Sequence, residues 1–100
     1  MDGLEVSDNS GKLSDDVSIN LYPNPTSGFA TLDMNFGEMV NAASVRVLDF
    51  TGRVVYTNSY TDLEGMVQVA LDLNGMPNGI YPVVISSPLG TQTRKLIVNQ

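Results

Sequence analysis

An all-β fold, an antiparallel β-sandwich of about seven strands, is what this sequence predicts. Three observations point there. Short runs rich in Val, Ile, Thr and Tyr alternate apolar with polar residues. A period of two sets one strand face in a core and the other in water. Clusters of Gly, Pro, Asn and Asp punctuate these runs every ~8–12 residues. The connections are also too short for the crossovers that parallel strands require.

Residues 1–16 (MDGLEVSDNSGKLSDD) hold no helical or alternating period and read as a flexible linker or processing arm. The alternative there is an edge strand at Leu4–Val6. The sandwich is expected over residues 17–100. Its first strand, Ser18–Tyr22, ends at Pro23, which fixes φ and cannot donate a hydrogen bond. Phe29–Asn35 follows Gly28, and Gly37–Ala42 reads as the next connection. In Ser44–Phe50, Val45 and Val47 alternate with Arg46 and Leu48. Thr51–Gly52 turns this strand back into Arg53–Tyr60, with Gly52 supplying positive φ to a tight hairpin. Asp62–Gly65 reads as a loop before Val67–Leu73, whose Val67, Val69 and Leu71 alternate with Gln68, Ala70 and Asp72. Asn74–Asn78 leads to Ile80–Ser86, and Pro88–Gly90 to Thr91–Val98. Short strands with turns at this spacing predict an immunoglobulin-like arrangement.

At 100 residues, 42% hydrophobic and 16% charged, the chain has the composition of one globular domain. No apolar run reaches the ~20 residues of a transmembrane helix, so direct membrane insertion is not expected. The acidic, polar start excludes a signal peptide within these residues. Cys and His are absent. Disulfides, thiol or serine–histidine catalysis and structural zinc therefore have no residues to act through. Neither a catalytic site nor a cofactor is expected. Most of the net charge of −6 sits in the arm, where Asp2, Glu5, Asp8, Asp15 and Asp16 face Lys12 alone. The nearly neutral remainder offers no electrostatic footprint for nucleic acid.

Three stretches stand out. Tyr22-Pro23-Asn24-Pro25-Thr26-Ser27-Gly28 carries two prolines that forbid helix and central strand. It reads as a rigid turn between the first two strands, with Tyr22 over the edge of the core; a recognition loop is the alternative. Asn78-Gly79-Ile80-Tyr81 opens a late strand whose Tyr81 can bury its ring and cap a backbone group, as a corner tyrosine does. Pro82 cannot join a ladder through its nitrogen, so that strand is an edge there or carries a bulge. Arg94-Lys95-Leu96-Ile97-Val98-Asn99-Gln100 reads as a final core strand followed by two frayed polar residues, and also as an exposed address tag. Asp49, Asp62, Glu64 and Asp72 fall at turns and strand ends, where carboxylates cap amides without catalysis.

In this order the motifs resemble the type A C-terminal sorting domain of the type IX secretion system of Bacteroidota. The resemblance rests on Tyr22-Pro23-Asn24-Pro25 with Gly28, Val45–Asp49 with Gly52–Val55, Leu73 ahead of Gly79-Ile80-Tyr81, and Lys95–Val98. It covers about residues 18–100. It implies a signal that directs a larger cargo, N-terminal to it, from the periplasm through the outer membrane to the cell surface or medium. The partners implied are the outer-membrane secretion machinery and a cell-surface sortase that removes the domain, with weak self-association left open. It places recognition at Lys95, Leu96, Ile97, Val98, Asn99 and Gln100. Tyr22, Pro23, Asn24, Pro25, Gly28, Asp49, Gly52, Gly79 and Tyr81 are implied to define the fold rather than to be contacted. Within the arm, Ser7, Asp8, Asn9, Ser10, Gly11 and Lys12 are the expected processing region, because cleavage needs an extended, unpacked backbone. Two departures stand against the family pattern: Pro82 where an apolar strand residue is usual, and Asn99-Gln100 where many members end in Lys or Arg.

The rival reading from the fold alone is a non-catalytic immunoglobulin- or fibronectin-like adhesive or spacer domain of a surface protein, since sandwiches host many unrelated functions.

Overall fold

Alternating β-branched and polar residues form five strands in the computed structural model, which describes residues 18–100. They are β1 (Ser18–Tyr22), β2 (Phe29–Leu48), β3 (Val54–Asp72), β4 (Gly79–Ser87) and β5 (Gly90–Val98). Every pairing between them is antiparallel. The processing region expected at Ser7–Lys12, and the arm around it, lie outside the described residues.

The long β2–β3 hairpin belongs to both layers of a sandwich. The first half of β2 pairs with β1, from Ser18↔Asn35 to Tyr22↔Thr31, and with the second half of β3. Its second half pairs with the first half of β3 and, from Ser44↔Ser86 to Val47↔Val83, with β4. β5 then pairs along the other side of β4. Counted by layer, these are seven strand segments in two antiparallel sheets. The immunoglobulin-like expectation holds in this form.

The connections expected at Gly37–Ala42 and Asp62–Gly65 are instead strand. Met39↔Glu64, Val40↔Leu63 and Ala42↔Thr61 pair across the hairpin. The two runs lie opposite each other, so each meets its backbone hydrogen-bonding needs through the other despite weak strand composition. The register shifts between Asn35 and Met39, a bulge that bends the ribbon between layers. Burial changes phase just beyond the bulge, between Val40, buried like the even residues before it, and Ala43. Ala30, Leu32, Met34 and Phe36 face inward before it, and Ala43, Val45 and Val47 after it. The chain thus turns opposite sides of its pleat to one core.

That core includes Leu32, Met34 and Phe36 from one sheet and Val45, Val83, Ile85 and Leu96 from the other, all with no exposure. Full burial of side chains of this size contributes roughly 1.5–3 kcal/mol each. Pro82 sits in β4 opposite Lys95 without a bulge, and although β4 lies between β2 and β5 as a whole, it is an edge at Pro82, as expected. Two features make the proline harmless there. The β2–β4 ladder starts only at Val83, so at Pro82 the strand has one neighbour. On that remaining side, the odd residues of β5 turn their backbone groups away from β4, as the contacts of Lys95 and Ile97 described below show. Pro82 opposite Lys95 is therefore a non-hydrogen-bonded pair, and no ladder bond is lost.

Candidate functional site: the last strand and the loop that covers it

The two most distinctive stretches of the sequence meet in space. The β1–β2 loop, Tyr22–Gly28, lies along the outer edge of β5 with both of its X–Pro bonds cis. Pro23 and Pro25 have no N–H, so the loop cannot continue a regular ladder. A carboxamide, however, carries the same donor and acceptor as a peptide group. Asn24 Nδ2 donates to the Lys95 carbonyl at 2.7 Å, and the Ile97 N–H donates to Asn24 Oδ1 at 2.9 Å. One step further, the Thr26 N–H donates to the Ile97 carbonyl and the Asn99 N–H to the Thr26 carbonyl, both at 2.8 Å. Thr26 and Val98 form a parallel bridge. Four successive backbone groups on the edge of β5 are satisfied in this way.

Thr26 is the one buried polar residue among those described, at 2% exposure. Its hydroxyl donates to the Phe29 carbonyl and accepts from the Gly28 N–H at 3.1 Å, so it closes the loop from within. Gly28 is buried with φ +146, and its carbonyl accepts from the Leu73 N–H at 2.7 Å. A Cβ there would meet both the Cα and Oδ1 of Asn74 at 3.3 Å.

The last two residues are not frayed. Beyond the Asn99 bond to Thr26, the Gln100 N–H donates to Asn78 Oδ1 at 2.9 Å and Gln100 Nε2 donates to the Met76 carbonyl at 2.8 Å. The accepting loop is held in turn by Tyr81, whose buried ring places its hydroxyl 2.5 Å from the Pro77 carbonyl. The expected corner-tyrosine role is met. Gly79 starts β4 opposite Val98.

Alternation divides the terminal set. Leu96 and Val98 are buried at 0% and 1% exposure, whereas Lys95, Ile97, Asn99 and Gln100 are exposed. In the folded chain only this second group can touch a partner. Arg94 and Lys95, adjacent in sequence, point to opposite faces of the strand.

Tyr22 does not cover the core edge as expected. It is 44% exposed, and its hydroxyl donates to Asp33 Oδ2 at 2.7 Å, while Gln68 Nε2 holds Asp33 Oδ1 at 2.9 Å. The hydrogen bond to Asp33, ahead of desolvation and the carboxylate's charge, pushes the Tyr22 hydroxyl pKa up. Asp49 and Gly52 form the predicted hairpin. Asp49 Oδ1 accepts from the amides of Thr51 and Arg53 at 2.9 and 3.0 Å and from the Thr51 hydroxyl at 2.5 Å. Its other oxygen lies 3.3 Å from Arg53 Nε. The Thr51 hydroxyl, followed by the Arg53 and Thr51 amides and the Arg53 charge, holds the Asp49 carboxyl below the ordinary Asp value.

Sequence reasoning passed over Phe50 and Ile80. Phe50 is 93% exposed at the hairpin tip, and Ile80, 50% exposed, lies directly across from Ile97. Between the hairpin and the Met76–Tyr81 segment lies a groove of about 170 Å³. The available signal was an aromatic residue inside a four-residue turn, where it cannot reach a core.

A sandwich whose last strand is edge-capped by a proline-rich loop is the structural class these features define. Residues 20–99 match the secretion system C-terminal sorting domain family, and the chain belongs to it. This is the type IX sorting domain that the motif order resembles. Among solved structures, the dimeric latent PorU of Porphyromonas gingivalis is similar at a TM-score of 0.59 and 26% identity. That match covers 82% of this chain and 9% of the PorU chain. A DUF3244 family protein with an immunoglobulin-like β-sandwich fold from Bacteroides vulgatus is similar at a TM-score of 0.60 and 18% identity. It covers 83% of this chain and 94% of its own, a likeness of fold. No curated protein matches the chain.

Proposed function

We propose that this domain carries a larger N-terminal cargo from the periplasm across the outer membrane by the type IX route, to the cell surface or the medium. The family match over residues 20–99 is the observation that carries the reading. The domain acts as a non-catalytic address, read at the exposed members of the terminal set: Lys95, Ile97, Asn99 and Gln100. Leu96 and Val98 hold the strand in place from the core. A cell-surface sortase then removes the domain by cutting N-terminal to β1, within residues 3–17, because packed strands do not fit an active-site cleft.

Fusing residues 1–100 to a periplasmic reporter, in a host that has this secretion system, should bring the reporter to the surface or medium. A fusion that stays periplasmic beside a working signal overturns the reading. Saturable binding to a glycan or matrix protein, without export, would identify an adhesive domain instead. Mass measurement of the exported reporter locates the cut; a site inside Ser18–Val98 would refute the processing assignment.

A further inference from the structure

We propose that Asn24 is a positioning residue for the export signal, so that the machinery reads β5 as a fixed strand and not as a free peptide. The inference rests on the sorting reading above and extends it to a residue 71 positions from Lys95.

A final strand with open N–H and C=O groups on one side pairs with any extended chain and frays from its end. Here the outer edge from the Lys95 carbonyl to the Asn99 N–H is occupied by Asn24 and Thr26. The edge is thereby closed to strand addition along the stretch assigned to recognition. What remains available is a side-chain surface: Lys95 and Ile97 outward on β5, with Ile80 across from Ile97 and Asn24 and Pro25 along the border.

The geometry of that surface depends on Asn24 in two ways. Its Oδ1 fixes the amide of Ile97, the apolar member of the outward row. Its Nδ2 fixes the carbonyl of Lys95, the charged member. One side chain thus sets both outward residues relative to the loop. Thr26 cannot replace it, because the Thr26 bonds lie one step further along, at the Ile97 carbonyl and the Asn99 N–H.

The test compares export of the reporter by the full 1–100 chain and three variants, normalised to folded protein. Asn24→Ala removes both bonds. Asn24→Asp keeps the acceptor for Ile97 and loses the donor to Lys95. Val69→Ala, in the core of the other sheet, serves as a control matched for lost stability. Amide exchange at Ile97 should quicken roughly tenfold in Asn24→Ala, reporting release of the strand. Export should fall roughly tenfold with it, Asn24→Asp should lie between, and Val69→Ala should export normally. Normal export by Asn24→Ala with a released Ile97 amide overturns the proposal. An equal loss in Val69→Ala overturns it too, since export would then follow stability alone. Should Asn24→Ala not fold, a synthetic peptide of residues 91–100 decides. Competition with the folded chain for binding to outer-membrane extract, at similar concentration, refutes a positioned signal, and failure to compete upholds it. Failure of the unaltered chain to export overturns the sorting reading, and this inference with it.

Discussion

Asn24 and Ile97 lie 73 residues apart in sequence, and the Ile97 N–H donates to Asn24 Oδ1 at 2.9 Å. With the return bond from Nδ2 to the Lys95 carbonyl, the carboxamide occupies the place of a peptide group in a neighbouring strand. The flanking prolines make this side chain necessary, because neither of them can donate. The loop that follows β1 and the strand that ends the fold are one structural unit.

Asn24→Ala should therefore weaken the fold and not only the loop. Two exposed hydrogen bonds at ~0.5–1.5 kcal/mol each give an expected loss of about 1–3 kcal/mol. Urea denaturation should show a lower midpoint with an unchanged slope. An unchanged midpoint would mean that Asn24 does not hold β5 in solution.

Gly28→Ala should cost more than Gly52→Ala. Both glycines have positive φ, at +146 and +89, so both substitutions strain the backbone by ~1–3 kcal/mol. Only at Gly28 does the new Cβ also meet a neighbour, the backbone of Asn74 at 3.3 Å; at Gly52 nothing lies within 4 Å. Equal melting temperatures for the two variants would show that the loop can shift away from Asn74.

Much of this architecture was legible in the residues. Alternation located β1 at Ser18–Tyr22 and the buried rows Val45–Val47 and Val69–Leu71, because a period of two is a local property. The Asp49–Arg53 hairpin and the Tyr81 cap were legible for the same reason. The continuity of β2 through Gly37–Ala42 was not. Strand formation there depends on a partner run, Asp62–Gly65, that local composition marks as a turn. The site was half legible: both motifs were visible, but their contact was not. Asn24 between two prolines reads as a turn residue, and nothing local reveals that its amide faces Lys95 and Ile97. The anchoring of Gln100 by Asn78 and Met76 was hidden in the same way.

Removal of Asn99 and Gln100 should consequently be felt by the fold. The deletion abolishes the bonds to Thr26, Asn78 and Met76, an expected loss of about 1.5–4.5 kcal/mol for three exposed hydrogen bonds at ~0.5–1.5 kcal/mol each. Thermal melting of the shortened chain checks this. An unaltered melting temperature would restore the view that these two residues are frayed.

Asp49 should give the fold a measurable acid sensitivity. Its folded pKa is lowered, first by the Thr51 hydroxyl. The stabilisation is therefore complete above the unfolded value of about 3.9 and is lost as pH falls through the folded value. Urea midpoints measured from roughly pH 5 to pH 2 should fall for the native chain and fall less for Asp49→Asn, which has no carboxyl to protonate at that position. Parallel curves for the two proteins would exclude Asp49 as a contributor.

The terminal strand should separate folding from recognition by the parity of its residues. Leu96 and Val98 face the core, and Leu96→Ala should cost about 2–5 kcal/mol through the cavity it leaves. Lys95 is exposed, so Lys95→Ala should change stability by only ~0–1 kcal/mol. Ile97 retains 39% exposure, so Ile97→Ser removes less apolar burial than Leu96→Ala. Under the proposed sorting function, loss of export in Leu96→Ala should be recovered when the fold is restored by lower temperature or a stabilising substitution elsewhere. Loss of export in Lys95→Ala and Ile97→Ser should persist in fully folded protein. Melting temperature and surface export, measured on the same four variants including Val98→Ala, distinguish the two groups. Full export by a folded Lys95→Ala, Ile97→Ser double variant would remove the outward row from recognition and leave the strand with a structural role only.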